Sequence, residues 1–159
     1  VAYPSEYGRV LQQVARAARP GARVAIRVYL TPEPCDSLET VRNDTMGRRV
    51  GSVSALKWRL ANAICAEQGE PNVSVRTIFQ TFERLFPDRE VLAAAAGWTL
   101  EEIADMDSYA RIPEVFNFPT PSQALAPVPD EFVSARLMPV GTYELAERCP
   151  LLVMERKAG

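Results

Sequence analysis

The chain of 159 residues contains no histidine. Histidine is the commonest general base near neutral pH, a frequent zinc ligand and the central member of Ser-His catalytic pairs. Its absence excludes those kinds of site from this sequence. Sixteen of the 18 basic residues are arginines, a side chain suited to binding phosphate and carboxylate groups. A genome-composition bias explains the arginines equally well, because alanine is also abundant.

Cysteine is scarce, and long apolar runs are missing. Cys35, Cys65 and Cys149 lie far apart and form no C-x-x-C pattern, which predicts reduced thiols in a reducing compartment. No stretch approaches the roughly 20 apolar residues of a membrane helix, and no signal-peptide pattern occurs. A net charge of −2 offers no bulk attraction for nucleic acid or acidic lipid. These features predict a cytoplasmic protein without nucleic-acid, membrane or metal partners.

What the chain does contain is the pattern of an α/β protein. Apolar residues at helical spacing predict a helix over residues 5–18, which Pro20-Gly21 ends. The next segment, RVAIRVYL at 23–30, predicts a strand that is apolar, and therefore buried, on both faces. The segments 132–138 and 151–156 predict two further strands.

Between the first and second of these strands, the sequence predicts helices. Capped amphipathic segments follow one another without strand-like alternation, so residues 36–109 are expected to be mostly helical and free of strand pairing. The spacing of capping boxes occurs three times, at Asp36 with Glu39, Thr99 with Glu102, and Thr120 with Gln123.

Three segments, taken in order, resemble a known family. They are YPSEYGRVLQQVARAARPGARVAIRVYLTPE at 3–33, FPTPSQALAP at 118–127 and YELAERCPLLVMERK at 143–157. A helix, an R-P-G turn, a strand, a helical insertion, a short helix and a closing pair of strands resemble the C-terminal half of a class I S-adenosylmethionine-dependent methyltransferase. Ala22 stands where the turn of that family has its second glycine.

The resemblance implies the C-terminal part of a Rossmann-like methyltransferase fold, an α/β fold with a small three-stranded mixed sheet and a large helical insertion. Residues 1–35 and 118–159 would form the partial α/β core, and residues 36–117 a helical lid that shapes the substrate pocket. In the sheet, the last strand of the sequence is expected in the middle, antiparallel to both neighbours.

The family holds S-adenosylmethionine with a glycine-rich turn after its first strand and an acidic residue at the end of its second strand. The present sequence has no G-x-G pattern, and it begins where the fourth strand of the family ends. We therefore expect the complete parent domain to bind S-adenosylmethionine, and this chain alone to bind no cofactor and to be inactive. The resemblance identifies neither the methyl acceptor nor a catalytic base.

The resemblance also implies a substrate cleft at the C-terminal ends of the parallel strands, the usual place in open α/β sheets. The residues expected there are Tyr3, Arg27, Tyr29, Thr31 and Glu33. Glu33 could act as a base or orient the acceptor, or it could be a solvated loop carboxylate. Arg27, in a strand expected to be buried, could bind a substrate carboxylate or extend past the sheet to solvent.

Four aromatic residues of the helical insertion could line an acceptor pocket or belong to its core: Trp58, Phe79, Phe82 and Tyr109. Helical spacing favours the core for most of them.

Three hypotheses remain open at the level of sequence: the C-terminal portion of a methyltransferase, a non-catalytic methyltransferase-like module that binds a protein, and an unrelated helical domain that carries three strands. The strand at 23–30 contains no lysine or proline to discourage edge pairing. We therefore expect a homodimer through this edge, or association with a missing N-terminal half.

Overall fold

The computed structural model describes residues 4–143 and 145–158. In chain order, the elements are α1 (Pro4–Ala17), β1 (Arg23–Arg27), α2 (Leu38–Met46), α3 (Val53–Gln68), β2 (Asn72–Ser74), α4 (Val75–Leu85), α5 (Arg89–Ala96), α6 (Leu100–Ala104), a 3-10 helix (Asp105–Ala110), β3 (Val115–Asn117), α7 (Pro121–Leu125), β4 (Phe132–Met138), a second 3-10 helix (Ala146–Arg148) and β5 (Leu151–Arg156). Among the described residues, no helix has both the length and the hydropathy needed to cross a bilayer.

The chain divides into two compact units. The α/β unit contains the residues up to Glu33 and those from Asn117 onward, and the helical unit contains Pro34–Phe116. Whether the helical unit covers a substrate cleft stays a prediction.

The sheet of the α/β unit has the order β1-β5-β4, and β5 is antiparallel to both neighbours. The expected strand order is therefore confirmed. The prediction of a mixed sheet is wrong, because β1 and β4 run in the same direction but never touch: β5 lies between them, so both pairings are antiparallel. Three strands side by side in one sheet also contradict the hypothesis of an unrelated helical domain.

Helices cover one face of this sheet. Leu11 and Ala15 of α1 and Ala124 of α7 pack in one buried cluster with Leu152 and Met154 of β5. Thr120 caps α7 in the predicted capping box, with Pro121 in the first turn.

The prediction that β1 is buried on both faces is wrong. Arg23, Ala25 and Arg27 are exposed, while Val24 and Ile26, on the helix-covered face, are half-buried. The reason lies in the side chains themselves, because one face of β1 carries two arginines and an alanine. Because these side chains are charged or small, that face of β1 can be exposed to solvent without a covering helix.

The helical unit is built on α3 and α4. Leu56 and Leu60 of α3 and Ile78 and Phe82 of α4 are completely buried. The predicted capping box of Thr99 with Glu102 is present at α6.

The predicted capping role of Asp36 is wrong. Ser37 is the N-cap of α2, and its hydroxyl accepts a hydrogen bond from the Thr40 amide. Asp36 instead binds the guanidinium of Arg59. The carboxylate is held by a cation that lies 23 residues away in the sequence, and capping-box spacing covers only three residues, so it does not reveal this charged partner.

The expectation that residues 36–109 contain no strand pairing is also wrong. Asn72–Ser74 forms β2, which pairs with β3 in a two-stranded sheet. Helix α3 ends at the glycine C-cap Gly69, and Pro71 follows it. Residues Asn72–Ser74 are therefore extended and can form a strand. This pairing counts against a lid made of helices alone.

Burial in the centre of β5 is expected to dominate the stability of the α/β unit. Leu152→Ala removes a side chain with 0% exposure and should lower the free energy of unfolding by about 3 kcal/mol. Urea denaturation followed by circular dichroism measures the change. The matched control is Val133→Ala on β4, 61% exposed, which should change it by less than about 0.5 kcal/mol. Equal effects would contradict the assigned core.

Candidate functional site

Four of the five residues expected at the substrate cleft belong to β1 and the segment that follows it. Tyr3 lies outside the described residues. The structure places Arg27, Tyr29, Thr31 and Glu33 in sequence along the exit of β1, but their environments differ.

Arg27 lies on the uncovered face of the sheet. Its Nη1 donates to the Tyr143 hydroxyl at 3.0 Å and to the Cys149 carbonyl at 3.2 Å. The guanidinium therefore links β1 to the loop between β4 and β5. Because it is exposed, it needs no buried counter-charge, and it remains accessible to an anionic group from solvent.

Thr31 is buried, with 5% exposure. Its hydroxyl donates to the Phe118 carbonyl at 3.0 Å, and its amide donates to the Pro119 carbonyl at 3.0 Å. The two bonds join the segment leaving β1 to the segment leading into α7. Thr31 thus holds together the two points at which the chain leaves and re-enters the α/β unit.

Tyr29 and Glu33 are the accessible members of the group. The Tyr29 side chain is 42% exposed, and Glu33 is exposed as well. A phenol and a carboxylate at the exit of one strand can accept or donate hydrogen bonds to a polar substrate.

Two buried groups of the α/β unit were not predicted from the sequence as site residues. The Tyr7 hydroxyl of α1 is buried without a hydrogen-bond partner among the described residues, and burial raises the pKa of Tyr7 to about 12. Burial also raises the pKa of the Cys149 thiol, which Arg27 and Arg148 partly oppose. Tyr7 is thus a neutral hydrogen-bond donor at neutral pH.

The helical unit contains a charged and aromatic cluster. The Lys57 side chain of α3 is 9% exposed, and its Nζ binds the Asp105 carboxylate at 2.6 Å. The same Nζ lies 4.4 Å from the ring centroid of Tyr109, and Phe116 contacts Tyr109 edge-on and stacks on Trp58. Burial and Asp105 raise the pKa of Tyr109. The sequence signal for this cluster was a lysine on the apolar face of α3.

The other two aromatic residues considered for the pocket, Phe79 and Phe82, differ in burial. Phe82 is completely buried and packs on Phe86 at 5.6 Å between ring centroids, as expected for core. Phe79 is half-buried.

Arg59 of α3 is the second buried cation of the helical unit. Its side chain is 10% exposed and binds Asp36 at 2.9 Å and Asp44 at 2.5 Å. Arg49 binds the other oxygen of Asp44 at 2.7 Å. Hydrogen bonds from Arg59 and Arg49 hold the pKa of Asp44 below its usual value. The network ties α2 to α3.

The described residues do not fit the methionine and ribose ends of S-adenosylmethionine. Such groups bind at a glycine turn that leads from a strand into a helix. The described glycines with positive φ are Gly21, Gly69, Gly97 and Gly141, and none of them lies in a turn that leads from a strand into an α-helix. Among the described side chains, no group of three or more carboxylates or thiols is placed to hold a metal ion.

No protein-family model, curated protein or solved structure matches the chain.

The lowered pKa of Asp44 predicts a pH dependence of stability. A carboxylate whose pKa is lower in the folded than in the unfolded state stabilises the fold above about pH 4, and this contribution is lost as the pH falls further. Asp44→Asn should therefore lower the free energy of unfolding at pH 7 by about 2 kcal/mol, the usual contribution of a hydrogen bond to a charged group, and flatten its decline from pH 5 to pH 2. Urea denaturation at each pH measures both effects.

The matched control for this prediction is Asp130→Asn, at an exposed position of the α/β unit. It should leave the pH dependence unchanged. If Asp44→Asn and wild type declined in parallel from pH 5 to pH 2, the ion network would not stabilise the helical unit as inferred.

Proposed function

We propose that this chain is the C-terminal portion of an S-adenosylmethionine-dependent methyltransferase with an unidentified acceptor. The observation that carries the proposal is the strand order. The resemblance predicted that the last strand of the sequence lies between the other two and antiparallel to both, and β5 has this position. The strands β4 and β5 form a hairpin, and β5 also pairs with β1. This arrangement is informative, because strands that are consecutive in the sequence more often pair only with each other.

The connections around β1 support the same proposal. Helix α1 leads through Pro20 and Gly21 into β1, and the helical unit is inserted between β1 and α7. In the parent enzyme, the cofactor would be held by the half that precedes α1. The residues of this chain would then contribute the substrate side of the cleft.

Within that cleft, the exposed groups have distinct roles. Arg27 would bind an anionic group of the acceptor, and Tyr29 would contact its body. Glu33 would accept a hydrogen bond from the acceptor or take its proton. Methyl transfer depends strongly on alignment of donor and acceptor, so positioning is the main contribution expected from this side.

The cellular setting in this proposal is the cytoplasm. All three cysteines are free thiols in the structure, which supports a reducing compartment. The proposed association is either with the cofactor-binding half or with a second copy.

A non-catalytic module that binds a protein is the second candidate. The observation that favours it is the uncovered sheet face, where Arg27 and Arg136 stand beside Val153 and exposed Met138. Mixed apolar and arginine surfaces are typical of protein-binding sites.

The 159-residue chain alone is expected not to bind S-adenosylmethionine tightly, because the described residues lack the turn that would hold it. Isothermal titration calorimetry at 25 °C should give no saturable heat up to about 200 µM cofactor. S-adenosylhomocysteine serves as a second probe of the same groups. A dissociation constant in the micromolar range for either compound would contradict the assignment of this chain to the substrate side.

The product of the complete coding region is expected to bind S-adenosylmethionine with a micromolar dissociation constant and one molecule per chain. The intact mass of that product, compared with 17.6 kDa, shows whether further residues are present. A complete product that binds neither the cofactor nor S-adenosylhomocysteine would contradict the methyltransferase proposal and favour the protein-binding module.

A further inference from the structure

One flank of α1 is apolar and exposed. Val10, Val14 and Ala17 lie on it, and together with the stems of Arg9 and Gln13 they line a shallow groove. Val10 is 41% exposed. A helix has one residue every 100°, so these positions form one continuous strip along its axis.

This strip faces away from α7. On the opposite flank of α1, Gly8 approaches Pro127 so closely that an added Cβ would lie 3.5 Å from it, and Gln12 lines a cleft with residues 126–131. Because α7 packs at the β4 side of the sheet, the apolar strip lies on the side of β1, the other edge.

The backbone of β1 is open on that same side. Val28 and Leu30 donate their amides to the β5 side, at Pro150 and Arg148, and Ala22 accepts there from Arg156. Backbone groups alternate along a strand, so residues 23, 25 and 27 point their amides and carbonyls to the outer edge. Among the described residues, no strand pairs with this edge.

We propose that a second copy of this chain docks on the composite surface formed by the β1 edge and the apolar flank of α1. The two β1 strands pair antiparallel about a two-fold axis at Ile26, the midpoint of the ladder from Ala22 to Leu30. The axis places both α1 helices on the same face of a continuous six-stranded sheet, with their apolar flanks toward each other. This inference names one of the two partners left open above and does not depend on cofactor chemistry.

Charge selects this register. With the axis at Ile26, Arg23 stands opposite Tyr29 of the second copy, and Arg27 stands opposite Ala25. An axis at Ala25 would instead place Arg23 opposite Arg27 in both halves of the interface. Like charges directly opposite each other destabilise a strand pair, whereas an arginine beside a tyrosine ring is attracted to it.

The size of the surface fits a dimer of moderate affinity. Nine extended residues span about 30 Å, and a strand with a helix layer above it stands roughly 15 Å high. Each copy therefore offers roughly 450 Å², a total near the lower limit of about 1,000 Å² for a specific interface. The expected dissociation constant is micromolar.

Cross-linking tests the register. In a Cys35→Ser background, Ile26→Cys places two thiols at the axis in a non-hydrogen-bonded pair, where facing Cβ atoms approach within disulfide range. Mild copper-phenanthroline oxidation should convert most of the chain to a covalent dimer. The matched control is Val24→Cys, on the same face and half-buried like Ile26, but about 13 Å from its own copy in this register. Equal cross-linking of both variants, or none of Ile26→Cys, would overturn the proposal.

Sedimentation equilibrium tests the surface without altering the strand. Val10→Asp should weaken the dimer at least tenfold, because it brings two carboxylates into the contact between the α1 flanks. Val91→Asp on α5, 53% exposed, is the control and should leave the dissociation constant unchanged. Wild-type protein that remains monomeric at 200 µM, or equal effects of the two variants, would overturn the proposal. Failure here leaves the cofactor titrations unaffected, so the two proposals fail separately.

Discussion

The α/β unit depends on the position of β5 between β1 and β4. Leu152 and Met154 of this strand are completely buried, and they complete the core that α1 and α7 cover. The last strand of the sequence therefore joins two segments separated by the whole helical unit. Pairing strands that are so far apart in the sequence costs the entropy of closing a large loop, and the stabilising contacts form only afterwards. The α/β unit therefore has little stability until β5 is in place.

The Thr31 contacts explain how so large an insertion is compatible with that sheet. Its hydroxyl donates to the Phe118 carbonyl and its amide donates to the next carbonyl, that of Pro119. The chain thus leaves and re-enters the α/β unit at adjacent points, and the entropic cost of the inserted length grows only slowly with its size. A residue that resembled a substrate contact therefore has a structural role at the same end of β1.

The chemistry available to this chain follows from its composition and its exposed face. The sequence contains no histidine, and the exposed titratable groups at the exit of β1 are a phenol and a carboxylate, Tyr29 and Glu33. The arginines of the sheet stand mostly on the uncovered face, where they supply positive charge to an incoming group. In the proposed function, these groups would bind and align a partner or acceptor.

Much of the local structure was predictable from the sequence. The capping boxes of Thr99 and Thr120 and the Pro-Gly turn before β1 arise from contacts within three or four residues, so short patterns report them. The strand order was also predictable, although only through the resemblance of the element order to a known fold.

Contacts between distant residues decided the rest. The two-stranded sheet forms because β2 and β3, which are far apart in the sequence, meet in the folded chain. The pairings of Lys57 with Asp105 and of Asp36 with Arg59 join separate elements, as does the role of Thr31. By itself, the sequence determined most of the helices and the three strands of the α/β unit, because periodicity and capping are local. Only the tertiary structure decided the ion pairs between elements and the pairing of β2 with β3, because these contacts join residues that are remote in the sequence.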